Sequence, residues 1–340
     1  MDIPTPARFS QPEPVEITPD IVDRARGALL ASACGNALGV PYEFQSERVE
    51  YPEMIGGGLG PYAPGQWSDD TEMSICVARV AATGVSLTGQ GAEDKIGANF
   101  LEWMRDGAVD VGIQTQAVLT AAQEMGRGDI SDRLNAAAKE YSQTAGRGAG
   151  NGALTRTAPV GLAALGSREA TARAATAIAR LTHWDQLVED SCILWSEAIR
   201  LAVLTGKIDV RAGLDLLNPE SAEYWTDVLD KAEAGEANAH QNGFTVNALA
   251  CAWQAVWQVR ELSGEEAVRG GIVAAIRLGS DTDTVAAIAG ALLGAAHGER
   301  AVPAEWAEMV HGWPNMTGAQ LANLGEKIVV KSQQRLLPES

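Results

Sequence analysis

Two short acidic stretches about 210 residues apart concentrate the chemistry of this chain: Ser68-Asp69-Asp70-Thr71 and Ser280-Asp281-Thr282-Asp283-Thr284, each opening an apolar, small-residue run with helical periodicity. Ser, Thr and Asp are good helix N-caps, and a carboxylate near a helix N-terminus gains roughly 0.3–1 kcal/mol from the dipole, so either stretch alone reads as ordinary capping. Together they form a hard-oxygen set of the kind Mg²⁺ or Mn²⁺ prefers. If they converge in space, four carboxylates repel one another unless a cation sits among them. Side chains at i and i+2 of a regular helix diverge by about 200°. Asp281 and Asp283 therefore address one centre only where the backbone is still entering its helix, which is where the sequence puts them.

Further short segments accompany the acidic pair in a fixed order. Gly35-Asn36-Ala37-Leu38-Gly39-Val40-Pro41-Tyr42-Glu43 comes first, then Trp67-Ser68-Asp69-Asp70-Thr71, Gly150-Asn151-Gly152-Ala153-Leu154-Thr155-Arg156, Thr182-His183 and Gly279-Ser280-Asp281-Thr282-Asp283-Thr284. In this order the chain resembles the ADP-ribosylglycohydrolases, over a span from about Val22 to about Gly298. The resemblance implies an all-α, single-domain orthogonal helical bundle and a hydrolase that frees ADP-ribose from a modified acceptor, with protein-linked ADP-ribosyl-arginine the expected substrate and a small-molecule conjugate the alternative. It also implies a binuclear Mg²⁺ centre, with Mn²⁺ as the other candidate, whose protein ligands are Ser68, Asp69, Asp70, Asp281, Asp283 and Thr284. Thr71 and Thr282 are expected to cap helices or hold the carboxylates in place.

Glycosidic cleavage passes through an oxocarbenium-like state that a nearby carboxylate assists. The resemblance makes Glu43 the candidate acid or base; without it the residue reads first as a solvated Glu after a Pro turn. Asp69, Asp70 and Asp283 are expected to take part in catalysis through the cation centre. Gly148, Gly150, Asn151 and Gly152 are small residues whose backbone N–H groups can line a diphosphate, and Ala153 onward could begin a helix. Arg156 could pair with phosphate or make a structural salt bridge. The resemblance places His183 against the ADP-ribose. Asp110 could pair with an acceptor guanidinium, although helix capping explains it as well.

Composition narrows the alternatives. The chain has 340 residues, 46% of them hydrophobic, enough for a sizeable core. A formal net charge of −18 argues against a phosphate-backbone clamp, so bulk nucleic acid is not an expected partner. Cys34, Cys76, Cys192 and Cys251 stand singly in apolar segments, as buried reduced thiols do, without metal-ligand or disulfide spacing. No apolar run reaches the roughly 18–20 residues that span a bilayer. The N-terminus lacks a basic-then-apolar pattern, so a soluble, cytoplasmic protein is expected.

The elements that must position these residues read as helices. Residues 1–17 are polar and Pro-rich and are expected to form a flexible arm. The domain is expected over 18–335, beginning where Thr18 can cap a helix with Pro19 at its first position. Helical patterns follow over Ile21–Leu38, Ile96–Asp106, Gln114–Met125, Ser131–Tyr141, Ala170–Arg180, Leu187–Leu204, Ala222–Lys231, Val246–Leu262 and Glu265–Arg277. The Gly-rich stretches 55–65 and 145–152 read as loops, and the nine tryptophans as core. Two rivals remain: a non-catalytic ADP-ribose-binding or structural member of the same fold, and a haloacid-dehalogenase-like phosphatase, whose DxDx[TV] signature Asp281-Thr282-Asp283-Thr284-Val285 also fits but which requires a β-strand immediately before the first Asp.

Overall fold

The computed structural model describes residues 14–46, 49–146 and 148–334. Most of the expected N-terminal arm lies outside the described residues. Its last four residues run along the domain, where the Val15 N–H donates to Gln333 Oε1 at 2.8 Å. The final position of the expected domain, 335, is also outside the described residues.

The fold is all-α. Helix α1 spans Pro19–Gly39, α2 Asp69–Ala81, α3 Gln90–Arg105, α4 Ile113–Met125, α5 Ile130–Ala145, α6 Ala158–Ala163 and α7 Arg168–Arg180. There follow α8 Gln186–Thr205, α9 Pro219–Glu233, α10 Thr245–Gln258, α11 Gly264–Leu278, α12 Thr282–His297, α13 Ala304–Met309 and α14 Gly318–Gln334. The two strands among the described residues, β1 His311–Gly312 and β2 Met316–Thr317, form a small antiparallel pair. Thr18 caps α1 through its side-chain oxygen, with Pro19 in the first turn.

The centre of the molecule is the pair α1 and α12. Every residue of α12 from Thr282 to Ala296 is buried, as expected of a helix that is apolar all round. Small residues let the two backbones meet. A β-carbon on Gly35 would lie 2.2 Å from the Ala286 carbonyl oxygen, and one on Gly294 would lie 2.1 Å from that of Gly27. Any side chain at these positions would force the helices apart. Helix α14 packs on α1, and α11 and α8 on α12, so the α1–α12 pair is enclosed. Trp67, Trp103, Trp195 and Trp225 are fully buried, and the other five tryptophans are buried or pack against the core. All four cysteines are buried and unpaired. No helix among the described residues is long and apolar enough to cross a membrane.

Several boundaries differ from the pattern reading: α3 begins at Gln90 rather than Ile96, α5 runs on to Ala145 rather than Tyr141, and α9 begins at Pro219 rather than Ala222. Helix α10 stops at Gln258 rather than Leu262, because Val259 and Leu262 close a turn by accepting and donating backbone hydrogen bonds outside the helix. Ala153 does not begin a helix: residues 151–156 form successive turns, with Leu154 N–H donating to Asn151 O, and α6 starts at Ala158 with Pro159 in its first turn. The segment before Asp281 is helix α11, not a strand. The phosphatase signature therefore lacks the β-strand on which its chemistry depends.

Candidate active site

The N-termini of α2 and α12 meet although about 210 residues separate them. Ser68 precedes α2 and Asp69 is its first residue; Asp281 precedes α12 and Thr282 is its first residue. Neither Ser68 nor Asp281 caps its own helix through its side chain. The oxygens point across the gap instead. Ser68 Oγ donates to Asp283 Oδ2 at 2.8 Å, and Thr284 Oγ1 donates to Asp70 Oδ2 at 3.1 Å. The capping explanation of both stretches thus gives way to a shared cluster.

Glu43 joins this cluster from the turn after α1. One oxygen each of Glu43, Asp281 and Asp283 lies within 4.8 Å of the others. The turn is clamped in place: the Phe44 N–H donates to the Ser280 carbonyl at 2.7 Å, and both residues hold left-handed backbone angles (φ 51° and 63°). Thr282 Oγ1 donates to Gly39 O at 2.9 Å, and Thr71 Oγ1 donates to Asn36 Oδ1 at 2.9 Å. The two threonines thus brace the motifs, as expected.

Burial and crowding push every carboxyl here upward. Burial is the main cause for Asp69 and Asp70, both held well above the ordinary carboxylate range, with Asp110 and Asp283 respectively the strongest repelling neighbours. Asp283 is pushed up to about 7 by burial and then by Asp281, and Glu43 to about 10 by burial and then by Asp283 and Asp281. Burial raises Asp281 as well, opposed by the hydrogen bond from Asn151, which favours its charged form. Asp281 Oδ1 and Asp283 Oδ1 are buried without a hydrogen-bond partner among the described residues. Such orphaned acceptors are costly. A group of hard oxygen donors with unsatisfied lone pairs suits a divalent cation such as Mg²⁺ or Mn²⁺ and offers no soft ligand.

The cluster forms one wall of a cleft of about 820 Å³, with Glu43, Asp69, Asp70, Asp281, Asp283 and Thr284 on its surface. Gly148, Gly150, Asn151, Gly152 and His183 line the same cleft, as does Asp110, which is half-buried. The Gly-rich loop lies against His183: a β-carbon on Gly150 would come 3.2 Å from His183 Nε2, and one on Gly152 3.6 Å from Cε1. The imidazole is buried, with Nδ1 2.7 Å from Thr182 Oγ1. Burial, followed by the charge of Arg156, lowers the His183 pKa to about 3, so the ring is neutral at ordinary pH.

Asn151 gains a partner that the sequence does not assign, and Arg156 sits apart from expectation. Asn151 belongs to the loop, but its side chain serves the acidic motif, with Nδ2 donating to Asp281 Oδ2 at 2.8 Å and to Asn242 O at 2.9 Å. Arg156 is not on the cleft wall. It is fully buried, donates from Nη2 to Ile178 O at 2.7 Å, and stacks on Phe100 with its Cζ 4.8 Å from the ring centroid. It forms no ion pair among the described residues, so both the phosphate and the salt-bridge reading of this arginine fail.

Sequence reasoning gave no role to three residues that organise the site. Asn36 contacts both acidic motifs. Asn242 Oδ1 accepts from the Asp281 N–H at 3.0 Å, fixing the entry to α12. Gln114 Nε2 donates to Gly148 O and Thr182 O, both at 3.1 Å, and so ties the Gly-rich loop to the segment carrying His183. Buried amides leave no periodic signal. The only cue was the position of Asn36 inside a small-residue helix, where a polar side chain needs a partner.

A family model for ADP-ribosylglycohydrolase matches residues 17–336. The ADP-ribosylarginine hydrolase Tri1 of Pseudomonas putida (strain GB-1) is 28% identical over 312 residues, 89% of this chain and 78% of that protein. The ADP-ribosyl-[dinitrogen reductase] glycohydrolase of Rhodospirillum rubrum is 28% identical over 296 residues, 85% of this chain and 90% of that one. A solved structure described as an ADP-ribosylglycohydrolase-related protein complex shares the fold with a TM-score of 0.68 at 25% identity, covering 93% of this chain and all of its own. With the family pattern spanning nearly the whole chain and its acidic motifs meeting at one cleft, this protein belongs to the ADP-ribosylglycohydrolase family.

Proposed function

We propose that this chain is a metal-dependent hydrolase that releases ADP-ribose from an ADP-ribosylated arginine side chain of a protein. The observation that carries the reading is the convergence of two acidic motifs and Glu43 on a cleft that a Gly-rich loop and a neutral histidine also line. The Pseudomonas relative, an ADP-ribosylarginine hydrolase, supports the arginine linkage, and the Rhodospirillum relative, which acts on ADP-ribosyl-[dinitrogen reductase], supports a protein acceptor. Ser68, Asp69, Asp70, Asp281, Asp283 and Thr284 would hold two Mg²⁺ ions, or Mn²⁺. When bound, such ions bind hydroxyls of the ribose and stabilise charge that develops as the glycosidic bond breaks.

The chain's own residues do the rest. The Gly148–Gly152 loop receives the diphosphate, because it offers backbone N–H groups and no side chain larger than that of Asn151. His183, neutral and braced by Thr182, presents Nε2 toward the loop as a hydrogen-bonding group. Water adds across the bond between the anomeric carbon and the guanidine nitrogen: the oxygen goes to carbon and a proton to the departing nitrogen. Glu43 would hold or move that proton, a role supported by its carboxyl lying beside Asp281 and Asp283 in the cleft. Asp110 faces the same cleft and would pair with the cationic acceptor.

The test is a release assay for free ADP-ribose across substrates linked through arginine, serine, a nucleic-acid base or an acetyl ester, with and without EDTA. The reading expects metal-dependent release from the arginine linkage above the others. Binding of ADP-ribose without turnover of any linkage would overturn it.

A further inference from the structure

Among the described residues no backbone hydrogen bond joins the two acidic motifs. Helix α12 is seated directly on α1, for a β-carbon on Gly39 would lie 2.4 Å from Asp283 Cα and Thr282 Oγ1 bonds Gly39 O. Helix α2 instead packs mainly on α3 and α6. Two direct side-chain bonds join its start to α12, Ser68 Oγ to Asp283 Oδ2 and Thr284 Oγ1 to Asp70 Oδ2, and the one side chain of α1 that bonds both motifs is Asn36, which is completely buried.

The orientation of the Asn36 amide is determined by its partners. The Ser68 backbone N–H can only donate, and it lies 2.8 Å from Asn36 Oδ1. Nδ2 must then face the other way, where Ser68 Oγ (2.7 Å), Asp70 Oδ2 (3.1 Å) and Asp283 Oδ2 (3.3 Å) await it. One amide thus receives the first turn of α2 on its oxygen and offers two N–H donors to three oxygens that belong to both motifs. A neutral donor at this point draws the two carboxylates together without adding charge.

We infer that Asn36 is the positioning residue that sets the spacing between the two halves of the cation centre, so that its loss weakens metal binding rather than substrate binding. The inference rests on the proposed metal centre. Partners that orient metal ligands are worth about 10–100-fold in affinity. Asp70 and Asp283 would remain in a variant lacking the amide, but only the Ser68–Asp283 and Thr284–Asp70 hydrogen bonds would then hold the start of α2 against their mutual repulsion.

The experiment measures Mn²⁺ binding to the full chain by calorimetry and electron paramagnetic resonance in wild type, Asn36→Ala and Asn36→Ser, with circular dichroism and metal-free melting to establish folding. The serine variant retains a small polar group should alanine not fold. Expected are a 10–100-fold weaker Mn²⁺ affinity in a folded variant, and turnover that returns toward wild type at saturating Mn²⁺ with KM for the ADP-ribosylated substrate unchanged. Wild-type Mn²⁺ affinity in a folded variant overturns the inference alone, as does a loss of turnover that Mn²⁺ cannot restore. Failure of both variants to fold makes Asn36 a folding residue and also overturns it. A wild-type chain that binds no Mn²⁺ overturns the metal centre itself.

Discussion

Asn151 Nδ2 donates to Asp281 Oδ2 at 2.8 Å, joining the Gly-rich loop of the cleft to the second acidic motif. The same side chain bonds Asn242 O, and its backbone N–H bonds Gly243 O at 3.1 Å, so the loop, the 242–243 turn and the entry to α12 move together or not at all. Removing the side chain should therefore be felt at the cation centre more than at the diphosphate. Asn151→Ala is expected to weaken Mn²⁺ binding about tenfold or more. Calorimetric titration of metal into the variant checks this, and an unchanged metal affinity with a lost ADP-ribose affinity would return Asn151 to a purely ligand-binding role.

Metal dependence follows from the donor set. EDTA should abolish ADP-ribose release, and Mg²⁺ or Mn²⁺ should restore it, whereas Zn²⁺ should substitute poorly because the site has no sulfur or imidazole among its clustered oxygens. Asp69→Ala and Asp283→Ala should each lower turnover by about 10²-fold or more, the usual cost of a lost electrostatic group. Full activity in a rigorously metal-free sample would sink the assignment.

The Gly-rich loop offers a clean steric probe. A β-carbon at Gly152 meets only ordinary contacts, 3.6 Å to His183 and 3.7 Å to Thr115, so the fold should accept a side chain there. Gly152→Val should nevertheless reduce the rise in melting temperature that ADP-ribose produces by binding the native state. Equal calorimetric affinity in wild type and variant would show that the diphosphate lies elsewhere.

Acceptor choice is tested at Asp110. Hydrogen bonds to charged groups contribute about 1.5–3 kcal/mol, or roughly a tenfold to hundredfold preference. Asp110→Asn should lower kcat/KM for the arginine linkage by that factor while sparing neutral linkages and ADP-ribose affinity. A uniform loss across substrates would place Asp110 in the support of Asp69, on whose carboxyl it acts more strongly than any other charged group.

The raised carboxyls predict an unusual pH dependence of stability in the metal-free protein. Asp283, at about 7, and Glu43, at about 10, hold protons in the folded state that the unfolded chain releases near pH 4. Over that window the native state binds more protons, so their contribution is fully present below about pH 4 and is lost as pH rises. His183 works in the opposite sense: its neutral buried ring costs stability as pH falls from about 6.5 toward 3. The metal-dependent part separates them. Mg²⁺ should raise the melting temperature more at pH 8 than at pH 5, as thermal melts with and without the ion will measure; an equal rise at both would mean that these carboxyls do not receive it.

Much of this site was legible before any coordinates. The acidic residues stand at helix starts because Ser, Thr and Asp end the preceding loop and small apolar residues follow, and both signals are local. The almost wholly helical fold was equally legible from period and composition. The partners of the carboxylates were not. Nothing in the chain says that the amide of Asn36 reaches Asp283, 247 positions away, or that the Asn151 side chain bonds Asp281 across the cleft lining. Arg156 misled for a related reason: beside a Gly-rich loop it resembles a phosphate ligand, yet the packing of α7 and Phe100 encloses it.

Sequence by itself determined the helices, the donor types and the order of the motifs, because these depend on residue chemistry and on neighbours within a turn or two. Tertiary structure decided which oxygens meet. That depends on how closely α1 and α12 can approach, which the glycines at 27, 35, 39, 290 and 294 permit, and on buried amides whose hydrogen bonds must be completed across the core once water is excluded.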